Sequence, residues 1–203
     1  MIRIVDYGLG NVQAFLTMFK RLGFEAARAK TVSDLAQASK IILPGVGAFD
    51  HAVDLLNQSG MREPLEARVL GDNVPLLGVC VGMQLLASRS DEGSKPGLGW
   101  IPGRVRSFRS VEAAQLLPQP HMGWNSVTVS KTEAIFAHME DPRFYFLHSY
   151  FFDCDHFGNA IAHSCYGLDF ACSVRSGNVY GVQFHPEKSH HFGAQLLKNF
   201  AEL

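Results

Sequence analysis

Pro75-Leu76-Leu77-Gly78-Val79 is a short apolar run, and it continues directly into Cys80-Val81-Gly82. An apolar run of this length that ends in a glycine-flanked residue predicts a buried central strand turning sharply into a helix. The glycines remove side chains where neighbouring backbone would come close. Cys80 would then lie at the N-terminus of the helix, whose positive end favours thiolate over thiol. From this segment alone, a buried cysteine at the end of a core strand is an equally good interpretation.

Apolar and amphipathic runs alternate on both sides of this strand. Strands are predicted at 3–7, 25–29 and 40–43, and helical spacing at 11–22, 33–38, 49–56 and 64–70. This alternation predicts an α/β fold with a doubly wound, mostly parallel central sheet flanked by helices.

The C-terminal half has a different pattern, with several β-type runs in succession. These runs are 105–108, 126–129, 144–151, 160–164, 170–174 and 179–184. Turn residues such as Arg175-Ser176-Gly177-Asn178 separate them, which predicts hairpins and additional antiparallel strands. A last helix is predicted at about 189–200. No boundary between domains is evident, so residues 1–203 are predicted to form a single domain.

Composition excludes several classes of protein. With 47% hydrophobic and 18% charged residues, the chain is not expected to be globally disordered. Its net charge of -1 gives no indication of a basic surface that would bind nucleic acid or an anionic membrane. The first residues do not resemble a signal peptide and no apolar run is long enough to span a bilayer, so a cytoplasmic location is expected. The four cysteines show no paired spacing and are predicted to be free thiols. No cofactor or metal is predicted, since adjacent His190 and His191 would diverge by about 100° on a helix.

A second candidate segment is His185-Pro186-Glu187, which follows the apolar run 179–184. In an extended chain, residues two apart point to the same side, and Pro186 favours extended geometry at His185. Glu187 could therefore orient the imidazole of His185, as activated nucleophiles require of the group behind their base. A His-Pro-Glu turn that only ends a strand is the more frequent explanation of this segment alone.

The third candidate is the turn Leu43-Pro44-Gly45-Val46-Gly47-Ala48. Two glycines just after a strand can present backbone N–H groups to a developing oxyanion, although such a turn more often serves only as a turn. No Gly-Lys-Ser/Thr follows, so it is not a phosphate-binding loop. The three segments together supply a thiolate, an oriented base and oxyanion donors, which are parts of one reaction.

At this point the sequence resembles the class I (triad-type) glutamine amidotransferases. Gly78-Val79-Cys80-Val81-Gly82-Met83-Gln84 matches the nucleophile segment of that family, and Val182-Gln183-Phe184-His185-Pro186-Glu187 matches its His/Glu segment. More narrowly, the chain is similar to the glutaminase subunits of imidazole glycerol phosphate synthases. That narrower resemblance rests chiefly on His121-Met122-Gly123-Trp124-Asn125, a string that generic amidotransferases lack.

The resemblance implies a role for each matched residue. Cys80 would attack the side-chain amide carbon of L-glutamine and form a thioester, while His185 moves the protons and Glu187 orients His185. The backbone N–H groups of Val81 and, after a peptide rearrangement, Val46 would form the oxyanion hole. The remaining substrate-binding positions implied are Gly45, Gly47, Gln84, Ser149, Tyr150 and Phe151.

The resemblance also implies a partner, because the chain carries no site for a molecule that would accept ammonia. In the family the partner is a cyclase with a (β/α)8 barrel, which forms a heterodimer with the glutaminase and closes an imidazole ring in histidine biosynthesis. The implied interface residues are His121, Met122, Trp124, Asn125 and Lys188. Aromatic residues and methionine are common anchors of such interfaces.

Two other functions remain open on the sequence. One is a stand-alone amidotransferase subunit that feeds a different synthase, against which the string 121–125 argues. The other is a cysteine peptidase or thiol hydrolase of the same general fold, which would accept extended peptides rather than free glutamine. A non-catalytic binding module is least compatible, because all three triad positions are present.

Overall fold

An 11-stranded sheet forms the centre of the fold in residues 1–130 and 132–203, the parts of the chain that this computed structural model describes. The strands are β1 Ile2–Val5, β2 Ala26–Ala29, β3 Lys40–Gly45, β4 Leu76–Cys80, β5 Arg89–Ser90, β6 Gly103–Ser107, β7 His121–Ser126, β8 Thr128–Val129, β9 Arg143–His148, β10 Tyr150–Cys154, β11 Ala160–Cys165, β12 Asp169–Ser176 and β13 Val179–Val182. The α-helices are α1 Val12–Arg21, α2 Val32–Ala36, α3 Phe49–Gln58, α4 Arg62–Glu66, α5 Val81–Gln84, α6 Glu112–Gln115 and α7 His190–Glu202. Short 3₁₀ helices are Phe108–Ser110, Ala134–Phe136, Phe157–Asn159 and Pro186–Lys188, and a π-helical turn is Ala67–Gly71.

The parallel part of the sheet has the order β2-β1-β3-β4-β13, and every neighbouring pair in it is parallel. All five residues of β4 are buried, as expected of a strand covered on both faces. The predicted α/β class with a mostly parallel sheet is confirmed. The carboxyl ends of β3, β4 and β13 lie side by side, and each continues into one of the three candidate segments. No helix of the described residues is long and apolar enough to cross a membrane.

Helix α1 shows how local sequence signals determine an element. The side chain of Asn11 accepts a hydrogen bond from the Ala14 N–H at 3.0 Å, which caps the helix at its predicted start. Phe15 and Phe19 are buried on its inner face, and Gly23 follows the helix with a positive φ of 81°. The predicted helix is confirmed, and its cap, its buried face and the glycine that follows it all come from neighbouring residues.

The antiparallel part is attached to the edge of the parallel part. β12 pairs antiparallel with β13 in register Ser176↔Val179, which confirms the predicted hairpin and gives it a two-residue turn, Gly177 and Asn178. β10, β6 and β11 continue the sheet from β12, with β10 and β11 both antiparallel to it. The predicted additional antiparallel strands are confirmed.

The predicted single β run 144–151 is wrong, because the structure divides it at Ser149. β9 pairs with β7 in a separate two-stranded sheet, whereas β10 joins the main sheet between β12 and β6. Residues 144–151 look uniformly β-forming, and the choice of sheet depends on partners far away in sequence. The division places Ser149 and Tyr150 where the two sheets meet.

Candidate active site

Cys80 lies at a strained turn between β4 and α5, with φ 55° and ψ -114°. Left-handed backbone at a residue other than glycine is costly, and it concentrates at functional sites. A Cβ added to Gly78 would lie 2.6 Å from the Gly82 carbonyl oxygen, and one added to Gly82 would overlap the Leu43 carbonyl oxygen. The predicted strand-to-helix turn, and the reason for its two glycines, are confirmed.

The sulfur of Cys80 lies close to the carboxamide of Gln183. Cys80 is only 5% exposed, and Gln183 Nε2 donates to its Sγ at 3.8 Å. The orientation of that amide is set by Gln84, whose Nε2 donates to Gln183 Oε1 at 3.0 Å. Gln183 thus directs an N–H at the Cys80 sulfur, a contact that the sequence did not predict. Its place beside His185 in the second motif was the only available signal.

His185 and Glu187 form a buried pair, as the sequence predicts. His185 Nδ1 lies 2.9 Å from Glu187 Oε1, and each side chain is 5% exposed. Burial by itself lowers the pKa of His185, but hydrogen bonding to Cys80 and Glu187 and their negative charges outweigh it and raise that pKa above its ordinary value. The arrangement favours the imidazolium form of His185, which lies between Cys80 and Glu187.

Strand β9 holds the His185 turn in place through Ser189. Ser189 Oγ donates to the His185 carbonyl at 2.6 Å and accepts from the Tyr145 N–H at 3.0 Å. The His185 N–H in turn donates to the Tyr145 carbonyl at 2.9 Å. Ser189 is fully buried, and its supporting role was not predicted, although the sequence places it directly after Lys188.

The glycine turn that follows β3 lies against the Cys80 elbow. A Cβ added to Gly45 would lie 2.5 Å from the Gly82 backbone nitrogen, so the two backbones are in contact. Beyond this contact Val46 is 42% exposed, and Gly47 has a φ of 86°. The turn is anchored upstream by Tyr7, whose hydroxyl donates to the Pro44 carbonyl at 2.9 Å.

A cleft lies between the Cys80 elbow, the glycine turn after β3 and the His185 segment. Its volume of about 300 Å³ is at the small end of the range for ligand pockets. Its lining residues come from every predicted segment of the site: Val46, Gly47, Cys80, Val81, Gln84, Glu92, Pro120, Leu147, His148, Ser149, Tyr150, His185 and Lys188. Two positions predicted to contact substrate are not among them. Gly45 is buried beneath the turn, and Phe151 is 4% exposed and packs on Phe108 with ring centroids 4.9 Å apart.

Glu92 is a cleft residue that the sequence did not predict. Its Oε2 accepts a hydrogen bond from the Phe49 N–H at 2.9 Å, at the N-terminus of α3. Glu92 lies in the glycine- and proline-rich loop before β6, where no local pattern distinguishes it from a solvent-exposed charge. Among the described residues that line the cleft, it is the one with a carboxyl group.

Exposed apolar side chains lie beside the mouth of the cleft. Met122 is 65% exposed and Trp124 is 42% exposed, and the Trp124 ring stacks on His190 at 5.2 Å. Lys188, which lines the cleft, places its Nζ 5.8 Å from the centroid of the Tyr145 ring. These surface residues therefore continue the edge of the cleft.

His121 departs from the prediction that it contacts a partner. It is 4% exposed, and its ring stacks on Tyr166 at 4.2 Å and on Phe146 at 5.0 Å. In a strand, alternate residues point to opposite faces, so the exposure of Met122 and Trp124 turns His121 inward. Asn125 is half-buried and donates to the Cys165 carbonyl at 2.8 Å.

The other cysteines show no sign of nucleophilic activation. All four are free thiols, as predicted. Burial raises the pKa of the Cys154 thiol to about 12 and raises that of Cys172 further, while Cys165 lies on the surface. In residues 1–130 and 132–203, no group of three or more His, Cys, Asp or Glu side chains is placed to hold a metal ion.

Burial of His121 makes folding sensitive to acid. Burial holds the pKa of His121 at about 4 in the folded chain, below the ordinary value of 6.5. At a pH between these two values, the imidazole is protonated in the unfolded chain but not in the folded chain. The stability contributed by neutral His121 is therefore lost as pH falls through this window. His121→Phe removes the titrating group. At pH 7 we expect the variant to have a lower free energy of unfolding than wild type. In urea titrations this difference should be about 1–2 kcal/mol smaller at pH 4.5 than at pH 7. A constant deficit would contradict this, and His156→Phe, at an exposed position, is the control.

Comparisons with known proteins agree with this geometry. The sequence profile described as "Glutamine amidotransferase class-I" matches residues 3–203. "Imidazole glycerol phosphate synthase subunit HisH" from Bdellovibrio bacteriovorus is 59% identical over 204 aligned positions, covering 100% of both chains. The protein of the same name from Leptospira interrogans is 49% identical, also covering 100% of both chains.

Solved structures share the fold at lower identity. A structure described as "Crystal structure of glutamine amidotransferase" superposes with a TM-score of 0.77 and 22% identity, covering 99% of this chain and 97% of the other. The structure of PurLQS from Thermotoga maritima gives a TM-score of 0.72 and 17% identity, covering 99% and 97%. Because the profile and both close relatives span every segment of the site, the chain belongs to the class-I glutamine amidotransferases.

Proposed function

We propose that this chain is the glutaminase subunit of an imidazole glycerol phosphate synthase and acts in the cytoplasm, as predicted. The observation that carries the proposal is the placement of Cys80, at a strained elbow, in one cleft with the buried His185–Glu187 pair. The names of the close relatives support the identity of the synthase. Purified chain, with and without the cyclase of the same organism, should convert free L-glutamine to glutamate. Cleavage of peptides in preference to free glutamine would favour a peptidase instead.

The chemistry follows from the charges in the cleft. The Cys80 thiolate attacks the side-chain amide carbon of glutamine, forming an Sγ–C bond and an oxyanion. Imidazolium His185 gives its proton to the departing nitrogen as the C–N bond breaks, which leaves a thioester and ammonia. His185, now neutral, takes a proton from water as that water attacks the thioester, and glutamate leaves Cys80 with its thiolate restored. Glu187 keeps Nδ1 of the ring protonated and Nε2 directed at the reaction.

The oxyanion needs donors on the far side of the amide carbon. The Val81 N–H, at the start of α5, is one candidate, and the Val46 N–H in the facing turn is the second. The contact between Gly45 and the Gly82 backbone keeps the turn and the elbow in register. Each such donor contributes roughly 10²–10³ in rate.

Glutamine would be held at its amino-acid end by the remaining cleft residues. Glu92 provides the only carboxylate among the cleft-lining side chains of the described residues, so we assign the α-ammonium group to it. The backbone at Ser149 and Tyr150, where β9 gives way to β10, would receive the α-carboxylate. Gln84 lies between this end and Cys80, which is consistent with a contact to the substrate chain.

The partner would cover the mouth of the cleft. Met122 and Trp124 are large, exposed and apolar, and Lys188 connects them to the cleft edge. We propose that this surface docks a cyclase with a (β/α)8 barrel in a heterodimer, so that ammonia passes to it without escaping into solvent. Asn125 lies on the opposite face of β7, with His121, so we do not assign it a contact with the cyclase.

The turn 44–47 offers a way for the partner to control hydrolysis. Tyr7 fixes Pro44, so we infer that a rotation of the Gly45–Val46 peptide, which would bring the Val46 N–H to the oxyanion, is accommodated downstream, where Gly47 has φ 86°. Alanine at 47 would penalise the present conformation by roughly 1–2 kcal/mol. We expect Gly47→Ala to raise the glutaminase activity of the isolated chain up to about tenfold. Activity with the liganded partner should change little, so the stimulation factor falls.

The structure also selects the controls for this prediction. Gly45→Ala is unsuitable, since its Cβ would collide with the Gly82 nitrogen and distort the elbow itself. Gly60→Ala is a matched control, because Gly60 has φ 69° and open space around a Cβ, as Gly47 does. Glutamate release is measured for each variant with and without the partner. An unchanged stimulation factor in Gly47→Ala would count against a switch at this turn.

A further inference from the structure

A buried pair of histidines lies behind the glutamine end of the cleft. His121 Nδ1 is 2.9 Å from His148 Nε2, and both residues are almost inaccessible to solvent, at 4% and 6% exposure. His148 Nδ1 lies 2.7 Å from the Tyr150 carbonyl oxygen. At the other end, Asn125 Nδ2 lies 3.3 Å from His121 Nε2. None of the triad chemistry uses this pair.

The contacts allow only one set of protons. The Tyr150 carbonyl can only accept, so His148 carries a proton on Nδ1. At the other end the Asn125 amide N–H can only donate, so His121 Nε2 is an acceptor and His121 carries its proton on Nδ1. His121 Nδ1 therefore donates to His148 Nε2, which is unprotonated. Both rings are therefore neutral, with every ring nitrogen satisfied. Burial agrees with this assignment, since it holds the pKa of His121 at about 4 and that of His148 at about 3.

The hydrogen-bonded chain ends in the cleft. Tyr150 lines the cleft, and its carbonyl also accepts from Gln84 Nε2 at 3.4 Å. Gln84 is the residue that orients the Gln183 amide against the sulfur of Cys80. The Tyr150 carbonyl is thus held from one side by His148 and from the other by the network around the nucleophile.

We propose that His121 and His148 are positioning residues for glutamine: as a pair of neutral imidazoles they fix the Tyr150 carbonyl, and with it the Ser149–Tyr150 edge that receives the substrate. This inference rests on the proposed function. The pair acts on substrate binding more than on the chemical step, because neither ring contacts Cys80.

If His121 and His148 only filled space in the core, substitutions at these positions would have different effects. The rings pack in an aromatic cluster, with His148 5.3 Å from Phe108 and His121 stacked on Tyr166 and Phe146. If packing were their only purpose, phenylalanine at 121 would serve as well as histidine. If positioning is their purpose, the donor to the Tyr150 carbonyl matters more than the ring.

Two comparisons separate these roles in the complex with the cyclase. His121→Phe keeps an aromatic ring but removes the donor to His148. His148→Asn and His148→Leu are similar in size, yet only Asn can place an N–H where Nδ1 now lies. The loss of one buried hydrogen bond of this kind weakens the binding of glutamine roughly tenfold. We therefore expect the KM for glutamine to rise about tenfold in His121→Phe and in His148→Leu, with kcat within about threefold of wild type. His148→Asn should recover most of the KM.

Direct observation of the protons tests the same idea without any variant. In histidine-labelled wild-type chain at pH 7, ¹H–¹⁵N NMR should show both rings protonated on Nδ1 and bare on Nε2. His148 protonated on Nε2 would overturn the proposal, even if His148→Leu failed to fold. An unchanged KM in His121→Phe, or equal KM values in His148→Asn and His148→Leu, would overturn it as well. Wild-type complex without glutaminase activity would instead refute the proposed function.

Discussion

Replacing Cys80 with alanine should abolish glutamine hydrolysis while leaving the ammonia-dependent reaction of the complex intact. Loss of the proposed nucleophile removes the thioester route entirely, and losses of about 10⁴–10⁶ in kcat are usual for such a change. Alanine bears the left-handed φ of 55° no worse than cysteine does, because both have a Cβ. Besides its contact with His185, the side chain removed makes long hydrogen bonds to Gln183, at 3.8 Å, and to Leu147, at 4.0 Å, so the cleft should keep its shape.

The two activities are measured separately in the same complex. Glutamate release with glutamine as donor reports on Cys80, and product formation with ammonium salt reports on the partner. Cys165→Ala is the control, since Cys165 is a free cysteine on the surface outside the cleft. Residual glutaminase activity in Cys80→Ala would refute the nucleophile assignment. Loss of the ammonia-dependent reaction would indicate that both reactions share one active site.

The parts of the site that sequence could predict are those determined by neighbouring residues. The elbow at Cys80 follows from Gly78 and Gly82, whose missing side chains are required within a single turn. The pairing of His185 with Glu187 follows from their separation by one proline. In both cases a short peptide contains the geometry that matters, so the pattern was sufficient.

The parts that sequence missed depend on contacts between distant segments. The Gln183 amide contacts the sulfur of Cys80, although the two residues are 103 positions apart in the sequence. No local sequence pattern predicts this contact. His121 looked like a surface residue because it shares a string with Trp124, yet the pairing of β7 with β9 turns it inward. The division of 144–151 between two sheets has the same origin. Tertiary pairing decides such cases, and single-sequence periodicity carries no information about it.

His185→Ala should lose nearly all glutamine hydrolysis, whereas Glu187→Gln should keep a measurable part of it. His185 moves a proton in each step of the proposed reaction, and among the described residues that line the cleft the other basic side chains are Lys188 and the neutral His148. Glu187 acts only through His185, by the 2.9 Å contact from its Oε1 to Nδ1. Where such a set has been dissected, removing the orienter leaves roughly 10² more activity than removing the base, and we expect that ratio here.

The structure explains why glutamine is a mild replacement for Glu187. Oε1 accepts from the imidazole, but Oε2 is buried and has no hydrogen-bond partner among residues 1–130 and 132–203. No neighbour therefore dictates which way an amide at 187 must lie, and it can turn its oxygen to His185 and keep the productive tautomer. What it loses is the negative charge that helps to raise the pKa of His185. Steady-state glutamate release from both variants, with the partner present, measures the ratio. Equal losses in His185→Ala and Glu187→Gln would mean that the charge of Glu187, rather than its orientation of the ring, is what the reaction needs.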